Sequence, residues 1–162
     1  MSSLKVLLIA GTHGNEVNAP WLFDQWEKKS NLINTSGINS TKVIGNPLAR
    51  KDCRRYLHCD LNRSFSPKLL DSSKSQYYEV RRAQELSRIY GVCGQDPCQI
   101  AIDFHSTTSA MGCSVVVYGR RHADLALASL IQYRLGLPIY LHEGNNDQTG
   151  FLVENWPCGL VI

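Results

Sequence analysis

A chain of 162 residues, 43% of them hydrophobic, is long enough for one domain with a substantial core, and this composition excludes global disorder. Seventeen Lys and Arg against fourteen Asp and Glu leave a net charge of +3, too small for a nucleic-acid-binding face but suited to a pocket for a small anion. No apolar run approaches the ~20 residues that span a bilayer, and nothing near the N-terminus resembles a signal peptide.

The first element in the chain is KVLLIA, residues 5–10, whose short run of Val, Leu and Ile predicts a buried strand. Asn18 is expected to cap a following helix, with Pro20 in its first turn and Trp21, Leu22, Phe23 and Trp26 on its apolar face. Residues 31–41 are rich in Asn, Ser and Thr and read as a loop, and a second strand is expected from Lys42 to Gly45. The segment NPLARKDCRRYLHCDLNRSFSP, bracketed by Pro47 and Pro67, has no periodicity. Long loops in compact domains are functional or disordered, and the many large side chains here argue for function. In YYEVRRAQELSRIYG, Tyr77, Val80, Ala83, Leu86 and Tyr90 recur at helical spacing, and Gly91 can stop the helix.

IAIDFH and CSVVVY read as two further strands, HADLALASLIQYRLG as a helix ending at Gly136 and Pro138, and IYLHE and CGLVI as short strands. The alternation predicts an α/β fold, a central mixed and largely parallel sheet with helices on both faces, in a single domain over residues 1–162. CGLVI has the composition of a central strand, yet the sequence stops inside it. The expectation is therefore the N-terminal portion of a longer protein. The six cysteines form no CxxC pair and no dense disulfide spacing, and in a chain without a leader they read as reduced thiols of a cytoplasmic protein.

His13 and Glu16 follow the first strand within GTHGNE, and His105 ends the strand IAIDFH. Loops at the carboxyl ends of parallel strands are where α/β sheets bind ligands, so two adjacent strands would deliver all three side chains to one edge. Two imidazoles and a carboxylate suit zinc and leave a coordination position open. Gly11 and Gly14 would let the backbone turn sharply there. Asp103 is placed to orient His105 or to cap a turn. His58, His122 and His142 compete as ligands, but His122 starts a helix and His142 sits beside Glu143 in an expected loop, so both are read as facing solvent.

Four segments in order, GTHGNE, CRRYLHCDLNRSF, YEVRRAQE and DFHSTTSAMGC, resemble the aspartoacylase branch of the aspartoacylase/succinylglutamate desuccinylase family, which is similar in fold to zinc carboxypeptidases. The resemblance covers residue 5 to about residue 117. It implies one zinc per chain held by His13, Glu16 and His105, and a substrate carboxylate and amide carbonyl bound by Arg55, Asn62 and Arg63. Arg50, Arg54, Arg81 and Arg82 are read instead as solvated charges or ion-pair partners of Asp52, Asp60 or Glu79.

The implied reaction is hydrolysis of an N-acyl amino acid, N-acetyl-L-aspartate in this branch. Alternatives are another acyl amino acid such as N-succinylglutamate, a peptidase, or a non-catalytic protein that binds zinc and anions. The family's general-base glutamate falls either directly after Ile162 or, in an ungapped comparison, at Val161. A further arginine that would hold an aspartate side chain has no counterpart in DQTGFLVENW, where Phe151 lies nearest. The resemblance also implies a homodimer, a C-terminal β-rich domain outside these residues, and a small anionic substrate as partner; charge and hydropathy argue against nucleic acid and membrane as partners.

Overall fold

In the computed structural model, the described residues are 3–29, 37–73, 75–107, 109–144 and 149–162. Six strands form one sheet: β1 Leu4–Ala10, β2 Ile38–Ile44, β3 Ile100–Phe104, β4 Val115–Tyr118, β5 Ile139–His142 and β6 Cys158–Val161. Their order is β2-β1-β3-β6-β4-β5. Every pairing is parallel except β4 with β6, where Val116 opposes Val161, so the sheet is mixed and largely parallel as expected.

The inner strands β1, β3, β4 and β6 are largely apolar on both faces because both faces are covered. On one face Val6, Leu8 and Ala10 of β1 meet Phe23 of helix α1 (Asn18–Lys28). Further along that face, Val115, Val117 and Leu160 meet Ala128 of helix α5 (His122–Leu135). On the opposite face Leu7 and Ile9 pack with Leu86 of helix α4 (Tyr78–Tyr90) and with Trp156. The indole Nε1 of Trp156 donates to Tyr90 O at 2.8 Å, which satisfies its polar atom inside the core. Among the described residues no helix is long and apolar enough to cross a membrane.

Several expected boundaries move, each for a local reason. Helix α1 contains Asn18 as its first residue, with Val17 at the cap position and no capping side chain. Pro20 lies in the first turn and lacks an N–H, so one of the donors a cap would satisfy is missing. Strand β2 starts at Ile38, inside the expected loop, and ends before Gly45; residues 31–36 of that loop lie outside the described residues. It is one of the two edge strands, and an edge tolerates the polar sequence Asn39-Ser40-Thr41 that hides it. His142 belongs to β5, not to a loop.

The unpatterned segment after β2 is not structureless. It holds α2 (Pro47–Lys51), capped by Asn46 Oδ1 accepting from Ala49 N at 3.1 Å, a 3-10 turn at Leu61–Arg63, and a short α3 (Pro67–Leu70). All six cysteines are free thiols. Burial, and the nearby Asp124 carboxylate, push Cys158 up to about 11.

Two glycines shape the turn after β1 differently. Gly11 has φ +64, a left-handed conformation that only glycine adopts without strain. Gly14 is needed for space: a Cβ there would lie 2.1 Å from the Ala49 carbonyl carbon and 2.2 Å from Arg50 N of α2. Its own N–H donates to Arg55 O at 3.1 Å, which ties the turn to the arginine-bearing loop. Gly14→Ala is therefore expected to cost at least about 1–3 kcal/mol, the range for overpacking, because backbone and not a side chain must move. Denaturant unfolding checks this, and a change below about 0.5 kcal/mol would contradict the packing argument.

Candidate metal centre

Strands β1 and β3 are parallel neighbours, with Ala10 opposite Phe104, so the residues that follow them emerge together at one edge of the sheet. His13 and Glu16 come from the first turn and His105 directly follows β3. His13 and Glu16 are buried and His105 is half-buried. One ligand atom from each lies within 4.8 Å of the others. His13 Nδ1 stands 2.7 Å from Glu16 Oε1, and His105 Nδ1 stands 3.3 Å from the same oxygen. The remaining oxygen, Glu16 Oε2, accepts from Ser106 N at 2.9 Å.

Behind each imidazole stands a second carboxylate. His13 Nε2 is 3.0 Å from Asp60 Oδ1, and His105 Nε2 is 2.7 Å from Asp103 Oδ2. Asp103 is fully buried and also accepts from Thr12 Oγ1 at 2.8 Å, so its orientation is fixed. A carboxylate on the far nitrogen keeps a proton there, so Nδ1, which faces Glu16 and the common point, is the nitrogen that would give up its proton to a metal. Asp103 thus takes the orienting place and not that of a cap.

The electrostatics follow from this packing. Burial alone would raise the Glu16 carboxyl, but hydrogen bonds to His105 and His13 hold it down at about 2. Asp60 is also held at about 2, burial being outweighed by His13 and Arg55. Burial disfavours a charged His105, yet Asp103 and Glu16 raise it to about 10. His13 is raised against burial by its bonds to Asp60 and Glu16. The negative charge that keeps these protons equally attracts a dication. Two imidazole nitrogens and one carboxylate oxygen, each oriented from behind, fit a catalytic-type zinc with an open position.

The three side chains line a cavity of about 570 Å³, together with Arg55, Asn62 and Arg63. Arg55 Nη2 donates to Asp60 Oδ2 at 3.2 Å. Asn62 is buried, and its Oδ1 accepts from Leu152 N at 3.1 Å. The exposed Arg63 stacks its guanidinium on Phe151, 4.2 Å from the ring centroid. Val161 lines the same cavity from β6.

The competing histidines lie elsewhere. His58 is exposed and stacks on Tyr77, and His122 is exposed at the start of α5. His142 is half-buried in T-shaped contact with Tyr118 and Phe151, contrary to the solvent-facing expectation, because it lies on β5, which pairs with β4 beside Tyr118. Arg82 donates to the Gly45 and Ile44 carbonyls and Arg81 to those of Ser75 and Gln76. Arg50 approaches Asp24 at 3.9 Å.

Two carboxylates are under-read by sequence reasoning. Asp60 and Glu79 register there only as ion-pair partners for arginine. Asp60 does meet Arg55, but it also backs His13. Glu79 is fully buried and meets no arginine; it accepts from Leu57 N at 2.7 Å, His58 N at 3.1 Å, Cys59 N at 3.3 Å and Asn46 Nδ2 at 3.2 Å. Its only sequence signal is an acidic residue on the apolar side of a helix, next to Val80.

Comparison with known proteins gives this arrangement a family. Residues 2–162 match the succinylglutamate desuccinylase/aspartoacylase catalytic domain. A probable aspartoacylase from a strain of Prochlorococcus marinus is 65% identical over 162 residues, which are 100% of this chain and 53% of the relative. One from Synechococcus sp. (strain CC9605) is 60% identical, with the same coverage. The chain spans about half the length of these curated relatives. Among solved structures, murine aminoacylase 3 is similar with a TM-score of 0.80 at 27% identity, covering 99% of this chain and 55% of that one. A metallo-carboxypeptidase from Burkholderia cenocepacia shares the fold, with a TM-score of 0.68 at 14% identity over 100% of this chain and 48% of that one. By its sequence over nearly every residue, and with a carboxypeptidase-like fold, the chain belongs to the succinylglutamate desuccinylase/aspartoacylase family.

Proposed function

We propose that residues 1–162 form the zinc-binding catalytic portion of an amidohydrolase that cleaves N-acyl amino acids, N-acetyl-L-aspartate first among them. The observation that carries this reading is the convergence of His13, Glu16 and His105 within 4.8 Å in a cavity that Arg55 and Arg63 also line. Zinc held by these three residues supplies Lewis acidity for amide hydrolysis.

The remaining work falls to the chain's own side chains. Arg63 receives the substrate carboxylate, whose two oxygens match the N–H edge of a guanidinium. Arg55, fixed by Asp60 beside His13, faces the amide carbonyl and stabilises charge as it develops there. Asn62 holds the turn at Leu152 against the arginine loop. Asp60 and Asp103 keep both imidazoles in one orientation throughout.

A general base must also face the cavity. Val161 does so from β6, and side chains alternate along a strand. In a longer chain, a glutamate directly after Ile162 on a continued β6 would share the face of Val161. Residues 1–162 alone are accordingly expected to bind substrate and turn it over poorly.

The test loads the 162-residue chain with zinc and titrates it calorimetrically with N-acetyl-L-aspartate, N-succinyl-L-glutamate and a short peptide, while assaying acyl release. Binding of N-acetyl-L-aspartate with negligible turnover is the expected result. Tighter binding of N-succinyl-L-glutamate would reassign the substrate, preference for the peptide would make the protein a peptidase, and no binding of any would leave the reading without support.

A further inference from the structure

Only one of the two cavity arginines lacks a carboxylate. Arg55 is paired with Asp60, whereas Arg63 has no carboxylate partner among the described residues. The Arg63 guanidinium lies on the Phe151 ring, and that ring stacks on Tyr118 with centroids 3.9 Å apart and planes 23° apart. His142 closes the edge of both rings at 5.3 and 5.5 Å. Phe151 is only 2% exposed, so it offers a ligand almost no surface of its own.

The backbone fixes this stack as well. Phe65 N donates to Gly150 O at 3.1 Å and Leu152 N to Asn62 Oδ1 at 3.1 Å, joining the Phe151 turn to the segment that carries Arg63. From the other side Glu154 Oε2 accepts from Gly150 N at 3.0 Å and Phe151 N at 2.9 Å. The main chain that carries Phe151 therefore cannot move relative to the Arg63 segment without breaking hydrogen bonds on both sides of the turn, and the ring itself is packed between Arg63 and Tyr118.

Stacking occupies the face of a guanidinium and leaves its N–H edge free for a carboxylate. An arginine already held in plane loses less conformational freedom when it binds, which raises affinity without a new contact. We propose that Phe151 is a positioning residue that holds Arg63 as a preorganised receptor for the carboxylate of an N-acyl amino acid. The inference rests on the function proposed above. It also gives Phe151 a use at the place where the family resemblance leads one to look for an arginine.

The experiment compares the zinc-loaded chain with Phe151→Leu, Phe151→Tyr, Arg63→Lys and the Phe151→Leu/Arg63→Lys double variant. It reads calorimetric affinity for N-acetyl-L-aspartate, zinc affinity, and nitrogen relaxation at Arg63 Nε. Phe151→Leu is expected to weaken N-acetyl-L-aspartate binding by about 3- to 30-fold, the span of a cation–π contact, and to lower the order of Arg63 Nε while zinc affinity stays unchanged. Phe151→Tyr should keep both properties, and Phe151→Leu should cost little further in the Arg63→Lys background, where no guanidinium plane remains.

Equal losses in both backgrounds, or an Arg63 Nε as ordered in Phe151→Leu as in the parent chain, would overturn the proposal. If the parent chain does not bind N-acetyl-L-aspartate, the functional reading falls and the relaxation comparison still decides the positioning role. Should Phe151→Leu fail to fold, the parent spectrum decides: a stacked Arg63 has an ordered Nε and a ring-current-shifted proton, and a disordered, unshifted one overturns the inference.

Discussion

Replacing His105 by alanine is expected to strip zinc from the chain, from about one ion per molecule to none after dialysis. His105 is the one donor supplied by β3; His13 and Glu16 both come from the turn after β1. Without it, two donors from a single turn remain, too few for a four-coordinate site. A loss of more than about 100-fold in affinity is expected, because altering even the groups behind the ligands costs about 10–100-fold. Asp103→Asn tests that lesser effect, since it keeps the shape and removes the charge from His105 Nε2. Metal analysis with circular dichroism separates lost zinc from lost fold. Zinc content unchanged in His105→Ala would remove the central claim about this site.

The site is readable in the sequence to the extent that its residues sit at ends of buried strands. KVLLIA and IAIDFH are largely apolar because helices cover both faces, so their ends, and the polar residues at and beyond them, stand out. Strand pattern alone thus places His13, Glu16 and His105 on one edge of the sheet. β2 escapes in part because it is an edge strand, where polar residues are tolerated and no apolar run marks the start. The full role of Asp60 escapes for a different reason. It backs a histidine 47 residues away in sequence, and a carboxylate's choice between a neighbouring arginine and a distant imidazole is made by tertiary packing. Gly14 reads in the sequence as a residue that lets the chain turn sharply, yet its missing Cβ matters because the α2 backbone at Ala49 and Arg50 lies against it, a contact with no local signature.

The same limit applies to Glu79, and the largest stability effect is expected there. Glu79→Ala should destabilise the chain by about 3 kcal/mol, since the buried Asn46 amide and the part-buried backbone N–H groups of Leu57, His58 and Cys59 all lose their acceptor, the cost of about 1–3 kcal/mol per unpaired group applying only where water cannot replace it. For a chain of this size that corresponds to a fall in Tm of roughly 6–12 °C. The damage is directional, because Leu57–Cys59 joins Arg55 to Asp60, Asn62 and Arg63. Releasing it loosens the anion-binding side of the cavity while β1 and β3 still hold His13 and His105. Substrate affinity should therefore fall further than zinc affinity.

The pH dependence has a defined sign. Burial would raise the Glu79 carboxyl, but the amides at Leu57 and His58 and the Asn46 side chain bring it below its ordinary value. A depressed carboxyl stabilises the fold above its unfolded pKa and loses that contribution as pH falls through the folded one. The parent chain should consequently lose stability on acidification below about pH 4.5 more steeply than Glu79→Gln, which has no charge to lose there. Denaturant titrations of the two proteins at several pH values measure the difference. Parallel curves, or a loss under about 1 kcal/mol in Glu79→Ala, would mean that the arginine loop is held by something other than this carboxylate.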